Sequence, residues 1–311
     1  MEARRGEKTV ATGGSRGGAL KRTLRARMLG CASAHRPGRL DFTAHPRHMT
    51  GVKQAGDIIA AAPLAPADPL GRALAEALAE PPQRVRAVRA GGRAVWLKQA
   101  ERLSLRWRIQ KGDGARAFTA DREGLRQLGA AGLPVAPILA EGPDWFATPH
   151  LGNTLRSLLR DPAQAGPARI AAFEQAGKAL AGFHRAGFRH GRPSIKDVCW
   201  DGRRAVFIDL ERYAERRNTT TGFALDAAIF AHSILATTTG ERPPEFDAAI
   251  ATYRAHAPEG VWQAATRRMR RLAWLRPLVG AARRLRPGSG DLAGVALTLE
   301  FFATESDFGK S

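Results

Sequence analysis

Cysteine is scarce in this chain of 311 residues: only Cys31 and Cys199 occur. Neither belongs to a C-x-x-C pair or a metal-ligand spacing, so a dithiol redox motif and a cysteine-based metal site are excluded, and a reducing cytoplasm is the expected compartment. Long apolar runs are also missing. Residues 57–67 and 227–236 come nearest, but prolines or His232 interrupt them, far short of the roughly 20 residues a membrane helix needs. Arg4-Arg5 is followed by Gly, Thr and Ser instead of an apolar stretch, which argues against a twin-arginine export signal. The expectation is a soluble, unexported protein, cytoplasmic or peripheral at the inner membrane.

Acidic residues are also in deficit, 29 Asp and Glu against 49 Lys and Arg, for a formal charge of +20. Such a balance predicts attraction to polyanions: phosphate-bearing substrates, nucleic acid or an anionic membrane surface. Arginine excess from GC-rich coding is the competing explanation. A hydrophobic share of 44% with 25% charged residues is ordinary for a globular chain of this length.

Residues 1–48 carry glycine clusters and scattered arginines with almost no apolar periodicity, and are expected to be a disordered basic extension. It is read either as an arm for nucleic acid or lipid, or as an upstream extension with Met49 as an alternative start. Order is expected from about Asp68, where Asp-Pro caps a helix with Leu70, Leu74 and Leu78 on one face. Two alternating segments, 84–90 and 93–99, flank Gly91-Gly92 as a hairpin. A helix over 119–128 and short strands over 135–140 and 145–148 follow. The second half reads as mainly helical: a long helix through Ile170, Phe173, Gly177, Leu180 and His184, then helices over 225–236, 244–256 and 261–275. A small hairpin, 198–200 and 205–208, interrupts them. The expected division is a β-rich lobe over 49–148, a helical lobe over 149–302, and a disordered tail over 303–311.

Two carboxylates stand out by position. Asp197 lies seven residues after His190 in a loop that leaves a helix, and Asp209 ends the apolar strand of the hairpin. Brought together, they would suit Mg²⁺, which binds through one or two carboxylates plus substrate phosphates. Taken singly, each reads equally well as an ordinary loop or strand-end aspartate.

The order and spacing of His190, Asp197 and Asp209-Leu210-Glu211 resemble the protein-kinase-like superfamily, whose loop His-x-Asp-x-x-x-x-Asn precedes a hairpin ending in Asp-Phe-Gly. The approach from Leu180 to His190, the His-Gly start and the Ile-Asp-Leu-Glu ending are most similar to bacterial lipopolysaccharide-core kinases and the atypical kinase subunit of the KEOPS complex. The resemblance covers about residues 80 to 240. It implies an α+β, two-lobed fold with a small β-rich N-lobe and a mainly helical C-lobe. ATP and Mg²⁺ would lie in the cleft, with a hydroxyl-bearing acceptor on a sugar, a lipid or a protein serine or threonine. It further implies that Lys98 holds phosphates, Glu123 pairs with Lys98, and Asp197 with Asp209 carries the metal. His190, Arg192 and Asp197 form the catalytic loop, residues 149–152 a hinge, and Asp226, at the start of helix 225–236, a buried anchor for the loop.

The pattern breaks in three places. Arg192 stands where the family has its catalytic aspartate, and a guanidinium that stays protonated cannot act as a base. Asp197 replaces a metal-binding asparagine. No Gly-x-Gly-x-x-Gly loop covers the phosphates. The implied activity is therefore either phosphotransfer that tolerates the loss or a nucleotide-binding pseudokinase. The basic helices near the C-terminus are candidate surfaces for RNA or an anionic membrane.

Overall fold

The computed structural model describes residues 68–100, 114–238, 241–286 and 288–305. The expected arm over 1–48 lies outside them.

Helix α1 (Pro69–Ala79) starts at a capping Asp68, whose Oδ1 accepts the Leu70 N–H at 3.3 Å. Leu74 and Ala77 on its buried face pack with Val88, Val95, Leu97, Ala140 and Ala147. Strands β1 (Val85–Ala90) and β2 (Arg93–Gln99) form the expected hairpin, with Val85 opposite Lys98. Its turn is Gly91-Gly92, both at positive φ (54° and 76°), which glycine adopts without penalty.

Helix α2 (Gly114–Ala130) is longer than the expected 119–128. Strands β3 (Ala140–Gly142) and β4 (Trp145–Pro149) complete an antiparallel sheet of order β1-β2-β4-β3. The strand expected over 135–140 does not form. Pro134 and Pro137 each lack an N–H, and only Val135 makes an isolated bridge, to Phe207.

A second sheet joins β5 (Asn153–Thr154), β6 (Val198–Trp200) and β7 (Ala205–Phe207) in that order. Between β5 and β6 lie the short α3 (Leu155–Arg160) and the long α4 (Pro167–Arg185). Then come α5 (Thr220–Leu235), α6 (Pro244–His256), α7 (Val261–Arg270), α8 (Arg276–Leu285) and α9 (Gly290–Thr304). Helix α5 begins five residues earlier than expected because Thr219 Oγ1 caps it, accepting the Gly222 N–H. The helix expected over 261–275 stops at Arg270, and Ala273–Leu275 is a 3₁₀ turn. Helix α9 runs to Thr304, two residues past the expected end of the helical lobe.

Fully buried Phe173, Phe183, Phe207, Phe230, Phe246, Tyr253 and Phe302 hold the helical part together. Each buried aromatic contributes about 1.5–3 kcal/mol, against about 0–1 kcal/mol for an exposed ion pair, so packing sets this core. The architecture is α+β, a small antiparallel sheet with one inserted helix followed by a mainly helical region.

Candidate functional site: a loop and hairpin carrying two neighbouring aspartates

The loop after α4 is held by one carboxylate. Asp226 lies inside α5, not at its start, and is fully buried. Its Oδ2 accepts the backbone N–H groups of His190 (2.7 Å) and Gly191 (2.9 Å), and its Oδ1 accepts Arg189 Nη2 at 2.6 Å. His184 stacks on Phe223, bonds Tyr253 Oη through Nδ1 at 2.8 Å and turns Nε2 toward Asp226 at 3.9 Å. Burial alone would raise the Asp226 pKa. The facing His184, the Arg189 guanidinium and the loop N–H groups outweigh that and lower it. The backbone anchor implied by the family resemblance is thus present at Asp226.

His190 is also fully buried. Its Nε2 donates to the Ile208 carbonyl at 3.0 Å, and burial lowers its pKa, so the ring is neutral. His190 joins the loop to the end of β7 and is a positioning residue. Gly191, at φ 101°, passes so close to the Arg212 carbonyl that a Cβ would collide with it.

From this anchored start the chain passes Arg192 and turns through Ile195–Asp197, and Ile208 N–H bonds the Asp197 carbonyl at 2.9 Å. Loop and hairpin therefore deliver Asp197 and Asp209 to one place. Asp209 sits at φ 64°, the only positive-φ non-glycine among the described residues, a strained conformation typical of functional sites. Two cations lie across both carboxylates. Lys196 Nζ is 2.9 Å from Asp197 and 3.6 Å from Asp209, and Arg192 Nη2 is 3.3 Å from Asp209 and 3.9 Å from Asp197.

Burial and the neighbouring Asp209 push the Asp197 pKa up to about 7, against the pull of Lys196 and Arg192. For Asp209 burial acts in the same direction, but Lys98, Lys196 and Arg192 win and its pKa is lowered. Asp197 Oδ2 and Asp209 Oδ1 are buried and have no hydrogen-bond partner among the described residues. Two such oxygens fit a hard divalent cation, which would supply the missing partner.

Lys98 reaches this site from β2, but its partner is not Glu123. Its Nζ lies 2.6 Å from Asp121 Oδ2, and Asp121 Oδ1 accepts the Leu210 N–H at 2.8 Å. Residues two apart on a helix point about 200° apart, so only one of the two can face the sheet. Asp121 shares the buried stripe with Gly124, Leu125 and Leu128. Glu123 lies outside it and bonds Gln127 and Arg126. The spacing 121, 124, 125, 128 was the signal that sequence reasoning passed over. Arg189 and Lys196 were also missed, and as ordinary basic residues beside a loop they carry no signal of their own.

Asp121, Asp209 and Glu211 form another acidic group whose oxygens lie within 4.8 Å of one another. Lys98 and Leu210 N–H occupy Asp121 and Arg84 pairs with Glu211; Asp197 and Asp209 face cations as well, but each keeps one buried oxygen without a hydrogen bond. Cys199 is buried with its pKa pushed up to about 12, which removes it as a nucleophile. Beside the Ile195–Asp197 turn, α3 contributes Arg156, Ser157 and Arg160 to an open concavity of about 610 Å³, completed by Thr154, Asp161 and Pro162.

A strand lysine, an inserted helix carrying its acidic partner, a loop anchored on a buried aspartate and a hairpin ending in a second aspartate are thus brought together. Among known proteins, the chain is similar to an uncharacterized protein of Haemophilus influenzae, 27% identical over 143 residues, which is 46% of this chain and 59% of that protein. No family model matches. Among solved structures it is similar to the bifunctional kinase-methyltransferase WbdD, in a co-crystal with a kinase inhibitor, at TM-score 0.37 and 16% identity over 60% of this chain and 49% of that one. The PknI kinase domain of M. tuberculosis follows at TM-score 0.30 and 18% identity, over 58% of this chain and 87% of that one. The chain thus spans less than two thirds of both the H. influenzae protein and WbdD. These overlaps are partial.

Proposed function

We propose that the chain binds ATP with Mg²⁺ at Lys98, Asp197 and Asp209 and transfers the terminal phosphoryl group to a hydroxyl of an acceptor. The observation that carries this is the pair of buried oxygens without a hydrogen bond, Asp197 Oδ2 and Asp209 Oδ1, on a loop and hairpin beside Lys98. In this reading the two aspartates hold the metal, which would neutralise phosphate charge. Lys98, fixed by Asp121, contacts the phosphates, and Arg192 offsets the extra negative charge that Asp197 brings. Phosphoryl transfer depends mainly on positioning and charge neutralisation, so a base at position 192 is not indispensable. The concavity at Arg156 and Arg160 is the favoured place for the acceptor, because neither arginine makes an ion pair with a described residue and the two repel each other.

A second reading, a nucleotide-binding pseudokinase, is favoured by one contact: Arg192 Nη2 lies 3.3 Å from Asp209, on a carboxylate the metal would use. The experiment is ATP turnover or transfer of labelled γ-phosphate by the whole chain. Turnover that disappears in Asp209→Asn supports the enzyme. Nucleotide binding with no turnover in either protein supports the pseudokinase.

A further inference from the structure

Helix α8 has two apolar faces where one would suffice. Leu275 and Val279 pack inward and are buried. On another side, Leu278, Ala281 and Leu285 follow one another at i, i+3 and i+7 in a line along the helix, and Trp274 lies in the 3₁₀ turn that leads into it. This line faces solvent: Trp274 is 62% exposed, Leu278 51% and Leu285 85%.

The flanks of the line are all of one sign. There is no Asp or Glu between Val261 and Gly290. Arg276, Arg283, Arg284 and Arg286, with Arg267, Arg268 and Arg271 from the end of α7, are exposed and make no ion pair with a described residue. That charge argues against a second copy of this chain as the cover, since two such faces would repel. Nucleic acid would satisfy the arginines but not the leucines, which offer nothing to stack on a base. A surface carrying negative headgroups over hydrocarbon satisfies both.

We propose that α8 lies in the interfacial plane of an anionic lipid bilayer. Trp274, Leu278 and Leu285 dip below the headgroups, and the flanking arginines bind lipid phosphates. This reading is independent of whether the aspartate site transfers phosphate.

The test is co-sedimentation of the full chain with phosphatidylglycerol-containing vesicles, with pure phosphatidylcholine vesicles as the control. The expected result is binding to the anionic vesicles that weakens with salt and is at least ~10-fold weaker in both Leu278→Asp/Leu285→Asp and Arg283→Glu/Arg284→Glu. All four residues are exposed, so unchanged thermal unfolding will show that the variants remain folded. Tryptophan emission should shift to the blue on binding, and part of that shift should vanish in Trp274→Phe. Wild-type binding by the leucine variant would mean surface adsorption alone and would overturn insertion. Retention on RNA with no vesicle binding would assign the face to nucleic acid and overturn the proposal outright.

Discussion

Lys98 and Leu210 are tied together by one carboxylate: Asp121 takes the lysine ammonium on Oδ2 and the Leu210 N–H on Oδ1. The strand that carries the lysine and the segment that carries Asp209 are therefore set by a single residue of α2. Because Asp121 is 1% exposed, removing it leaves the partly buried Lys98 without its ion partner. Asp121→Ala should cost about 3–5 kcal/mol of stability, the usual penalty for breaking a buried pair from one side. Glu123→Ala should stay within about 0.5 kcal/mol, as an exposed substitution does. Denaturant unfolding of both variants checks the assignment, and equal effects would contradict it.

Arg192 offers a way to separate the two functional readings. Removing a cation that lies 3.3 Å from Asp209 and 3.9 Å from Asp197 leaves the carboxylate pair more negative. At an effective dielectric near 20 such a contact is worth up to about 4 kcal/mol of Coulomb energy. Arg192→Ala should therefore bind Mn²⁺ or Mg²⁺ at least ~10-fold more tightly if the aspartates are the metal site. A loss of nucleotide affinity with no gain for the metal is the outcome expected if Arg192 instead grips a phosphate.

Packing between α2 and the Asp209 segment depends on Gly124. A Cβ there would lie 2.9 Å from Leu210 Cβ and 3.2 Å from Tyr213 Cβ. Gly124→Ala gains about 1 kcal/mol of helix propensity but incurs an overpacking cost of about 1–3 kcal/mol. The net expectation is modest destabilisation together with weaker Mg-nucleotide binding, because the side chain pushes on the residue after Asp209. Calorimetric titration of the variant checks it, and unchanged affinity would contradict the coupling.

Acid should loosen the loop anchor. The Asp226 pKa is lowered in the folded protein, so its contribution to stability is complete above the unfolded value of about 3.9 and is lost as pH falls through the folded value. At neutral pH Asp226→Asn should be strongly destabilised relative to wild type. That difference should shrink below about pH 4. Thermal unfolding of both proteins across this range measures it, and a constant difference would mean the carboxylate is not the anchor.

The hairpin at Gly91-Gly92, the helix over Pro244–His256 and the β6–β7 hairpin were legible in the sequence because local turn chemistry and periodicity fix them. The pair Asp197 and Asp209 was legible from spacing. Asp121 was not, because family spacing drew attention to Glu123 while the helical stripe pointed two residues earlier. Helix α5 hid its start in a polar Asn-Thr-Thr-Thr-Gly run, where a threonine cap outweighs weak local propensity. The segment 135–140 is a short apolar run like a strand, but Pro137 within it and Pro134 before it deny it the ladder. The outward line on α8 could not be told from a buried face by periodicity alone, since only packing decides which side is covered.

The most direct test of the central claim is a calorimetric titration of the whole chain with Mg-ATP, beside Lys98→Met and Asp209→Asn. Saturable, Mg²⁺-dependent binding by the wild type, lost or much weakened in both variants, is the result expected if Lys98, Asp197 and Asp209 form a nucleotide site. No heat and no thermal stabilisation with Mg-ATP, or binding that ignores both substitutions, would contradict it.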